Sequence, residues 1–303
     1  MDKMAQISVV IVTWNAKRFA ADCLESVFSQ TAEGLEVIVV DNGSTDGTPE
    51  LLKAYSSRIR LIENRENKGF CYANNQAIKI AKGRYALTLN SDMVLDKNYI
   101  FYLKEYLCEN PKVGMVQGKF LRMDKSTIDG LGLRLSPLLR LFNIAEGKKD
   151  SPKFNNSFEI FGPCAAAAMY RKELMDDIKV GDEFFDDRFF FLVEDFDVAW
   201  RARKKGWKAM YVPGAVCYHY RQSSEHHSAF KQYLSFRNRY FMLIKNESPA
   251  AFILALPFLL CYDLPRFVFL LIKNPYLPKA ISEIYSYLPE LLQRRRGTKE
   301  ENA

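Results

Sequence analysis

Along the first third of the chain, short apolar runs alternate with segments of helical spacing. Ile7–Thr13 (ISVVIVT), Glu36–Asp41 (EVIVVD), Ile59–Glu63 and Tyr85–Asn90 (YALTLN) are nearly continuous in Val, Ile and Leu rather than alternating apolar with polar. That pattern predicts strands buried on both faces. Between them, Lys17–Gln30, Asp46–Ser56 and Gly69–Lys82 have helical spacing, with Thr45 and Asp46 as caps and Pro49 inside a first turn. The β-α alternation predicts an α/β fold: a mostly parallel sheet with helices on both faces. Ligands of such sheets bind beyond the C-terminal strand ends. Here those ends are polar: Thr13-Trp14-Asn15, Asp41-Asn42-Gly43-Ser44-Thr45-Asp46-Gly47, Asn64 with Asn67-Lys68-Gly69, and Asn90-Ser91-Asp92.

After Asp92 the pattern loosens. A helix is predicted at Lys97–Asn110 and a strand at Val113–Leu121, followed by Asp124–Ser157, which lacks clear periodicity and reads as a long functional loop. A strand at Cys164–Tyr170 precedes the acidic and aromatic segment Asp182–Phe191 and a helix beginning at Glu194. From Glu225 to about Arg296 the spacing is helical but broken by Pro249, Pro257, Pro265, Pro275, Pro278 and Pro289, with a boundary placed near Asn246. The longest uncharged stretch, Ser248–Tyr262, has 15 residues and two prolines. It is shorter than the roughly 18 to 20 apolar residues that span a bilayer, so no spanning helix is expected. The β-branched run from Ile7 reads as a strand, not an export signal.

Composition adds a folded class: 48% hydrophobic and 26% charged over 303 residues, a length that fits one large domain or one domain with an appendage. Lys and Arg (43) exceed Asp and Glu (36) by seven, so anions are the expected partners. The excess is local. Arg201, Arg203, Lys204, Lys205, Lys208, Arg221, Lys231, Arg237, Arg239 and Lys245 face a single acid, Glu225, and His219, His226 and His227 fall in the same stretch. Such a block is either a solvated face or a site for phosphates. The six cysteines are scattered without CxxC pairs and read as reduced core residues of a cytoplasmic protein. Neither GxGxxG after the first strand nor GxxxxGK[ST] is present, which argues against dinucleotide and P-loop enzymes.

A bound nucleotide diphosphate needs a partner for its base and a cation for its phosphates. One strand-end carboxylate suffices for the cation, because Mg²⁺ fills its remaining positions with water and phosphate oxygens. The strings VVIVTWN, VVDNGSTDGT, ENKGFCYANNQAI, LTLNSDM and FLVEDFDVAWRARKKGW, in this order, resemble the inverting glycosyltransferases of family 2, with the GT-A fold. The likeness runs from about Ile7 to His219, and within the family it is most similar to rhamnosyltransferase-like enzymes of polysaccharide biosynthesis.

The resemblance implies that Thr13 and Asn15 line the nucleotide pocket, that Asp41 contacts the base, and that Asn67, Lys68 and Gly69 lie against the nucleotide. Asn90-Ser91-Asp92 stands at the family's Asp-x-Asp motif, with Asn90 replacing the first Asp and Asp92 left to hold Mg²⁺ or Mn²⁺. His219 matches a position near the metal or diphosphate, whereas His226 and His227 read as surface residues. Glu194-Asp195 matches the Glu-Asp motif: Asp195 is the expected general base and Glu194 helps to position the acceptor. The alternative is that these acids simply favour a helix N-terminus. Gly162-Pro163-Cys164-Ala165-Ala166 matches the small-residue segment beside the donor sugar and acceptor. The aromatics at Phe184-Phe185 and Phe189-Phe190-Phe191 read as core, and Arg237 and Arg239 as candidates for the diphosphate or acceptor.

The expected activity is transfer from a nucleotide-diphosphate sugar, of the dTDP-rhamnose or UDP-sugar class, to a glycan or lipid-linked acceptor. A non-catalytic nucleotide-sugar-binding or scaffold protein with a decayed site is the alternative that Asn90 keeps open. Residues 1–246 are expected to form the catalytic domain, with a nucleotide-binding half at about 1–120 and an acceptor half at about 121–246, and residues 247–303 a helical appendage. In that appendage, Phe252–Tyr262 and Phe267–Ile272 are apolar and are followed by Lys273, Lys279 and Arg294-Arg295-Arg296. Such a tail suits peripheral contact with the anionic inner face of the plasma membrane, packing on the catalytic domain, or homodimer formation. Nucleic acid is not expected as a partner.

Overall fold

The computed structural model describes residues 6–221 and 226–300. Glu225, where the helical C-terminal pattern was expected to begin, lies outside the described residues, as do residues 301–303 and the side chain of Arg296. The first elements follow the apolar pattern. β1 (Ile7–Thr13), α1 (Lys17–Phe28), β2 (Leu35–Asp41), α2 (Thr48–Lys53), β3 (Arg60–Glu63), α3 (Phe70–Ile80) and β4 (Tyr85–Asn90) alternate as predicted. β1 pairs in parallel with both β2 and β4, bringing Thr13 beside Asp41 and Val12 beside Asn90. Three polar strand ends therefore share one edge. Both faces of β1 are buried: Val9 and Ile11 pack with Cys23, Leu24 and Val27 of α1, while Val10 packs with Ile38, Val40 and with Ala73 and Ala77 of α3.

β5 (Met93–Leu95), α4 (Tyr99–Glu109) and β6 (Val113–Arg122) come next. The Asp124–Ser157 stretch, expected to be irregular, contains β7 (Ile128–Gly130), which pairs with β6, and a hairpin of β8 (Leu133–Leu135) and β9 (Leu141–Asn143). These strands have three residues each, too short for a period-two pattern to register in the sequence. β10 (Phe158–Ile160), β11 (Ala167–Arg171), α5 (Lys172–Ile178), α6 (Glu194–Lys204) and β12 (Lys208–His219) complete the sheet. Its order is β3-β2-β1-β4-β11-β6-β12-β10, with β5 on β12 and β7 on β6. β11 runs antiparallel between β4 and β6, and so the sheet is mostly but not wholly parallel.

Three helices follow: α7 (Ser228–Asn246), α8 (Pro249–Lys273) and α9 (Leu277–Glu300). α8 runs unbroken through Pro257 and Pro265, which corrects the expectation built on a 15-residue apolar stretch: by length and composition this helix is long enough to cross a membrane. Its inward face, with Ala255, Leu259, Asp263 and Leu270, is nevertheless buried, and Asp263 pairs with Arg239 of α7 at 3.3 Å. α9 returns along α7, where its Glu283 meets Arg237 at 2.7 Å, and its Arg294 reaches Glu183 at 3.1 Å. Leu291 of α9 joins the apolar core formed by β11, α5 and α6. Of the cysteines, Cys23, Cys71 and Cys217 are buried as expected, but Cys108 and Cys261 are exposed.

Candidate active site

At the shared strand edge, Asp41 is buried and accepts hydrogen bonds from Thr13 Oγ1 (3.0 Å), Ser44 Oγ (2.6 Å) and the Ser44 N–H (3.0 Å). Asn15 has a left-handed φ of 50°; its N–H donates to Ser44 Oγ and its Oδ1 accepts from the Thr45 N–H, both at 2.9 Å. Thr13, Asn15 and Asp41 thus form one turn-shaping unit. The neighbouring Asn42, which the sequence presents only as a turn residue, fastens the next loop. Its amide donates to Asn67 Oδ1 (3.0 Å) and the Gly69 carbonyl (3.1 Å), and its Oδ1 accepts from the Lys68 N–H (3.2 Å). Lys68 itself is exposed, with its ammonium 5.0 Å from the Tyr72 ring. Gly69 has φ +90°, and a Cβ there would lie 2.5 Å from the Phe190 ring, so no larger residue admits that contact.

A pocket of about 150 Å³ opens among Trp14, Asn42, Asn67, Gly69, Ser91 and Phe190. Its rim corrects the reading of His226 as a surface residue. The imidazole stacks between Trp14 (4.5 Å between centroids) and Phe191 (4.9 Å), while His227 is exposed as expected. The aromatic segment also divides: Phe184, Phe185 and Phe189 are core, but Phe190 and Phe191 face this pocket.

Asp92, just beyond β4, is buried, and its Oδ2 lies 3.2 Å from Nε2 of His219 at the end of β12. Nδ1 of His219 lies 2.7 Å from Oδ2 of Asp129, a residue of β7 that the sequence left inside the irregular stretch. Burial pulls the imidazole pKa down, but the hydrogen bonds and charges of Asp129 and Asp92 outweigh it and raise the group to about 9. Arg221 pairs with Asp129 and, at 2.7 Å, with Glu146. If a divalent cation replaced the proton between Nε2 and Asp92, the carboxylate and the imidazole that Asp129 orients would form a donor set fitting that cation, completed by phosphate oxygens. Among the described residues, no group of three or more His, Cys, Asp or Glu converges on a metal position.

The Glu194-Asp195 pair opens α6. Asp195 is partly buried and accepts from the Phe196 N–H at 2.8 Å. Burial lifts its carboxyl to about 6, against the pull of the Phe196 and Ala165 N–H groups and the Cys164 side chain. Glu194 is buried, and burial together with the charge of Asp195 pushes its pKa well above the usual carboxylate range. The small-residue segment packs directly against this helix: a Cβ on Gly162 would lie 2.2 Å from that of Ala199. The same segment reaches the strand edge, where the Asn90 N–H donates to the Ala166 carbonyl at 2.8 Å.

Arg237 is not at the polar strand edge. It is buried, with Nη1 on Glu283 (2.7 Å) and Tyr233 (3.0 Å) and Nη2 on the carbonyl of Arg188 (2.7 Å). Arg239 is likewise committed, to Asp263 and the Leu139 carbonyl. Arg201 and Lys245 are also buried and paired, so these four bases of the block neutralise internal carboxylates or bond internal carbonyls.

The sequence model of the family described as Glycosyl transferase family 2 matches residues 8–179. The poly-β-1,6-N-acetyl-D-glucosamine synthase of Staphylococcus aureus (strain COL) is 24% identical over 220 residues, 72% of this chain and 50% of that protein. Its Staphylococcus epidermidis counterpart is 25% identical over 214 residues, 70% of this chain and 49% of that protein. The chain therefore spans about half the length of these curated relatives. Among solved structures, S. aureus TarS superposes with a TM-score of 0.61 at 17% identity, covering 98% of this chain and 54% of that one. The mannosyltransferase PcManGT from Pyrobaculum calidifontis, in complex with GDP-Man and Mn²⁺, gives 0.57 at 16% identity, covering 98% and 74%. GalNAc-T7 with UDP, GalNAc and Mn²⁺ gives 0.61 at 13% identity, covering 81% and 48%. The shared fold is GT-A.

Proposed function

The chain belongs to glycosyl transferase family 2, and from that premise we propose that it transfers a sugar from a nucleotide diphosphate to a glycan or lipid-linked hydroxyl with inversion. One observation carries the reading. Within the Gly162–Ala166 segment, Cys164 and Ala165 bond to Asp195 while the adjoining Ala166 carbonyl accepts from Asn90, beside Asp92, so the proposed base and the proposed diphosphate edge meet on the same small-residue surface. Asp195 takes the proton of the attacking acceptor hydroxyl, a role suited to a carboxyl held near 6, and Glu194, whose pKa burial raises, helps to position that hydroxyl. Thr13, Asn15, Asp41, Asn67, Lys68 and Gly69 shape the nucleotide pocket. Asp92 and His219 would hold Mg²⁺ or Mn²⁺, which when bound supplies charge neutralisation for the leaving diphosphate; the Mn²⁺ in two structural neighbours supports this.

The outer face of α8 supports a lipid-linked acceptor reached at a membrane surface. Ile253, Leu254, Phe258, Leu264, Phe269 and Leu271 are exposed on one helix whose other face packs on the protein. A dTDP- or UDP-linked donor is the class proposed, with rhamnose as the narrower assignment. A thermal-shift panel of nucleotide sugars, with and without Mn²⁺, tests the reading. One donor class should raise Tm, more so with Mn²⁺, and Asp92→Ala should remove the Mn²⁺-dependent part. Stabilisation by no nucleotide sugar would overturn it.

A further inference from the structure

The five residues that lead into the catalytic pair form an unfavourable turn. Phe190, Leu192 and Val193 have φ of 64°, 70° and 73°, a region that bulky and β-branched side chains avoid. Such conformations persist only where the surroundings over-determine them. Here the determinant is one side chain of α7. Asn238 is fully buried, and its Nδ2 lies 2.8 Å from the Phe189 carbonyl, 2.9 Å from that of Phe191 and 2.8 Å from that of Leu192. Its Oδ1 accepts from Arg237 Nε at 3.0 Å, and Arg237 adds bonds to the carbonyls of Arg188 and Phe189. From the opposite side, the Cys71 N–H donates to the Phe190 carbonyl at 3.1 Å, and the Phe190 ring rests on Gly69.

We propose that Asn238 is a positioning residue that holds the Phe189–Val193 turn in its left-handed form, and thereby sets both Asp195 and the Gly69 side of the donor pocket. The inference rests on the reading of Asp195 as the base. The chemistry is specific to an amide: its two hydrogens serve three carbonyls while its oxygen accepts from Arg237. Neither an ionised carboxylate nor an apolar group of similar size can do both. Without that donor, the Phe191 and Leu192 carbonyls lose this bond and the Phe189 carbonyl keeps only those from Arg237 and the Phe191 N–H, and the turn relaxes toward ordinary φ values. Asp195 then leaves its desolvated seat, and Phe190 lifts from Gly69.

The test compares Asn238→Ala with Leu243→Ala, a buried α7 residue in the apolar core rather than on the turn. Asn238→Ala should lower kcat on the order of 10²-fold, as expected for a misplaced reacting group, and should raise donor KM by more than about threefold as Phe190 leaves Gly69. The acid limb of its kcat profile should move below pH 6, toward the ordinary carboxylate value, as Asp195 becomes solvated. Hydrogen exchange should quicken in a peptide spanning 189–196 but not in β1. Leu243→Ala should lower Tm and leave kcat and the acid limb in place. An Asn238→Ala enzyme with the parent's kcat and acid limb, or equal kcat losses in both variants, would overturn the proposal. Should Asn238→Ala not fold, Arg237→Lys, which keeps the charge facing Glu283 but offers fewer donors to the turn, should show the same pattern more weakly; the parent's profile there would overturn the proposal too. Retained transfer in Asp195→Asn would instead remove the base assignment, and exchange at 189–196 would then decide the role of Asn238 alone.

Discussion

The proposed base, Asp195, is a carboxyl raised to about 6 from 3.8 because burial penalises its charge. Only the ionised form can accept a proton, so kcat should rise with pH through a limb centred near 6. A flat profile between pH 5 and 7 would remove the assignment. Stability carries the opposite sign. Between the ordinary value and about 6 the folded chain binds the extra proton, so stability falls as pH rises through that window. Asp195→Asn should therefore melt above the parent at pH 7.5, with the advantage gone near pH 4; equal differences at both pH values would contradict burial as the cause of the shift. Some of these residues are legible in the sequence because local chemistry marks them: Asp41 and Asp92 close strands, and Asp195 opens a helix. Asn42, Asp129, His226 and Asn238 are not. Each acts through partners brought close only by the fold, such as Asn238 on a turn 46 to 49 positions earlier.

At the level of elements, α6 and α7 are joined by a buried ionic cluster. Lys245 Nζ lies 2.6 Å from Asp186 and 2.9 Å from Asp197, and Arg201 pairs with Asp197 at 3.0 Å. Burial alone would raise both carboxyls, but Lys245, with Arg188 at Asp186 and Arg201 at Asp197, holds them below the usual range. Their stabilising effect is present above the ordinary carboxylate pKa and is lost as pH falls. Lys245→Met, which leaves two buried carboxylates short of a cation, should cost about 3 to 5 kcal/mol in denaturant unfolding at pH 7. The difference from the parent should shrink toward pH 3. A loss below about 1 kcal/mol would mean that the cluster is better solvated than its burial implies. Periodicity predicts β1, β2, β4 and α1 to α4 because each repeats its pattern against the core; β3, expected to be buried on both faces, is a four-residue edge strand with no buried residue. Periodicity fails for the three-residue strands β7 to β9. It fails also for α8, where Pro257 and Pro265 read as breaks, yet packing on α7 carries the helix through them.

Across the whole molecule, the C-terminal helices belong to the body that carries the site: α9 reaches the loop before α6 through Arg294, and α8 turns its apolar side outward. Removing them would disturb the contacts of Arg237 as well as any membrane contact, so single-face charge changes are the cleaner probe. Leu254, Leu264 and Leu271 are 77%, 54% and 60% exposed, and replacing all three with Glu should leave folding intact. Binding to phosphatidylglycerol vesicles should fall by at least about tenfold. Undiminished binding would separate α8 from the membrane and leave a second copy of the chain as the partner to test. The polar strand edge is legible in patterns along the chain, whereas the inward face of α8 is set by Ala255, Leu259 and Leu270 together with the Asp263–Arg239 and Arg266–Ser235 contacts to α7, which no local pattern announces. Whether the molecule is a sugar transferase with Asp195 as its base is decided by measuring transfer and donor affinity together in Asp195→Asn. Transfer should fall by about 10² to 10⁴-fold with donor affinity unchanged; retained transfer, or equal loss of both, would contradict the assignment.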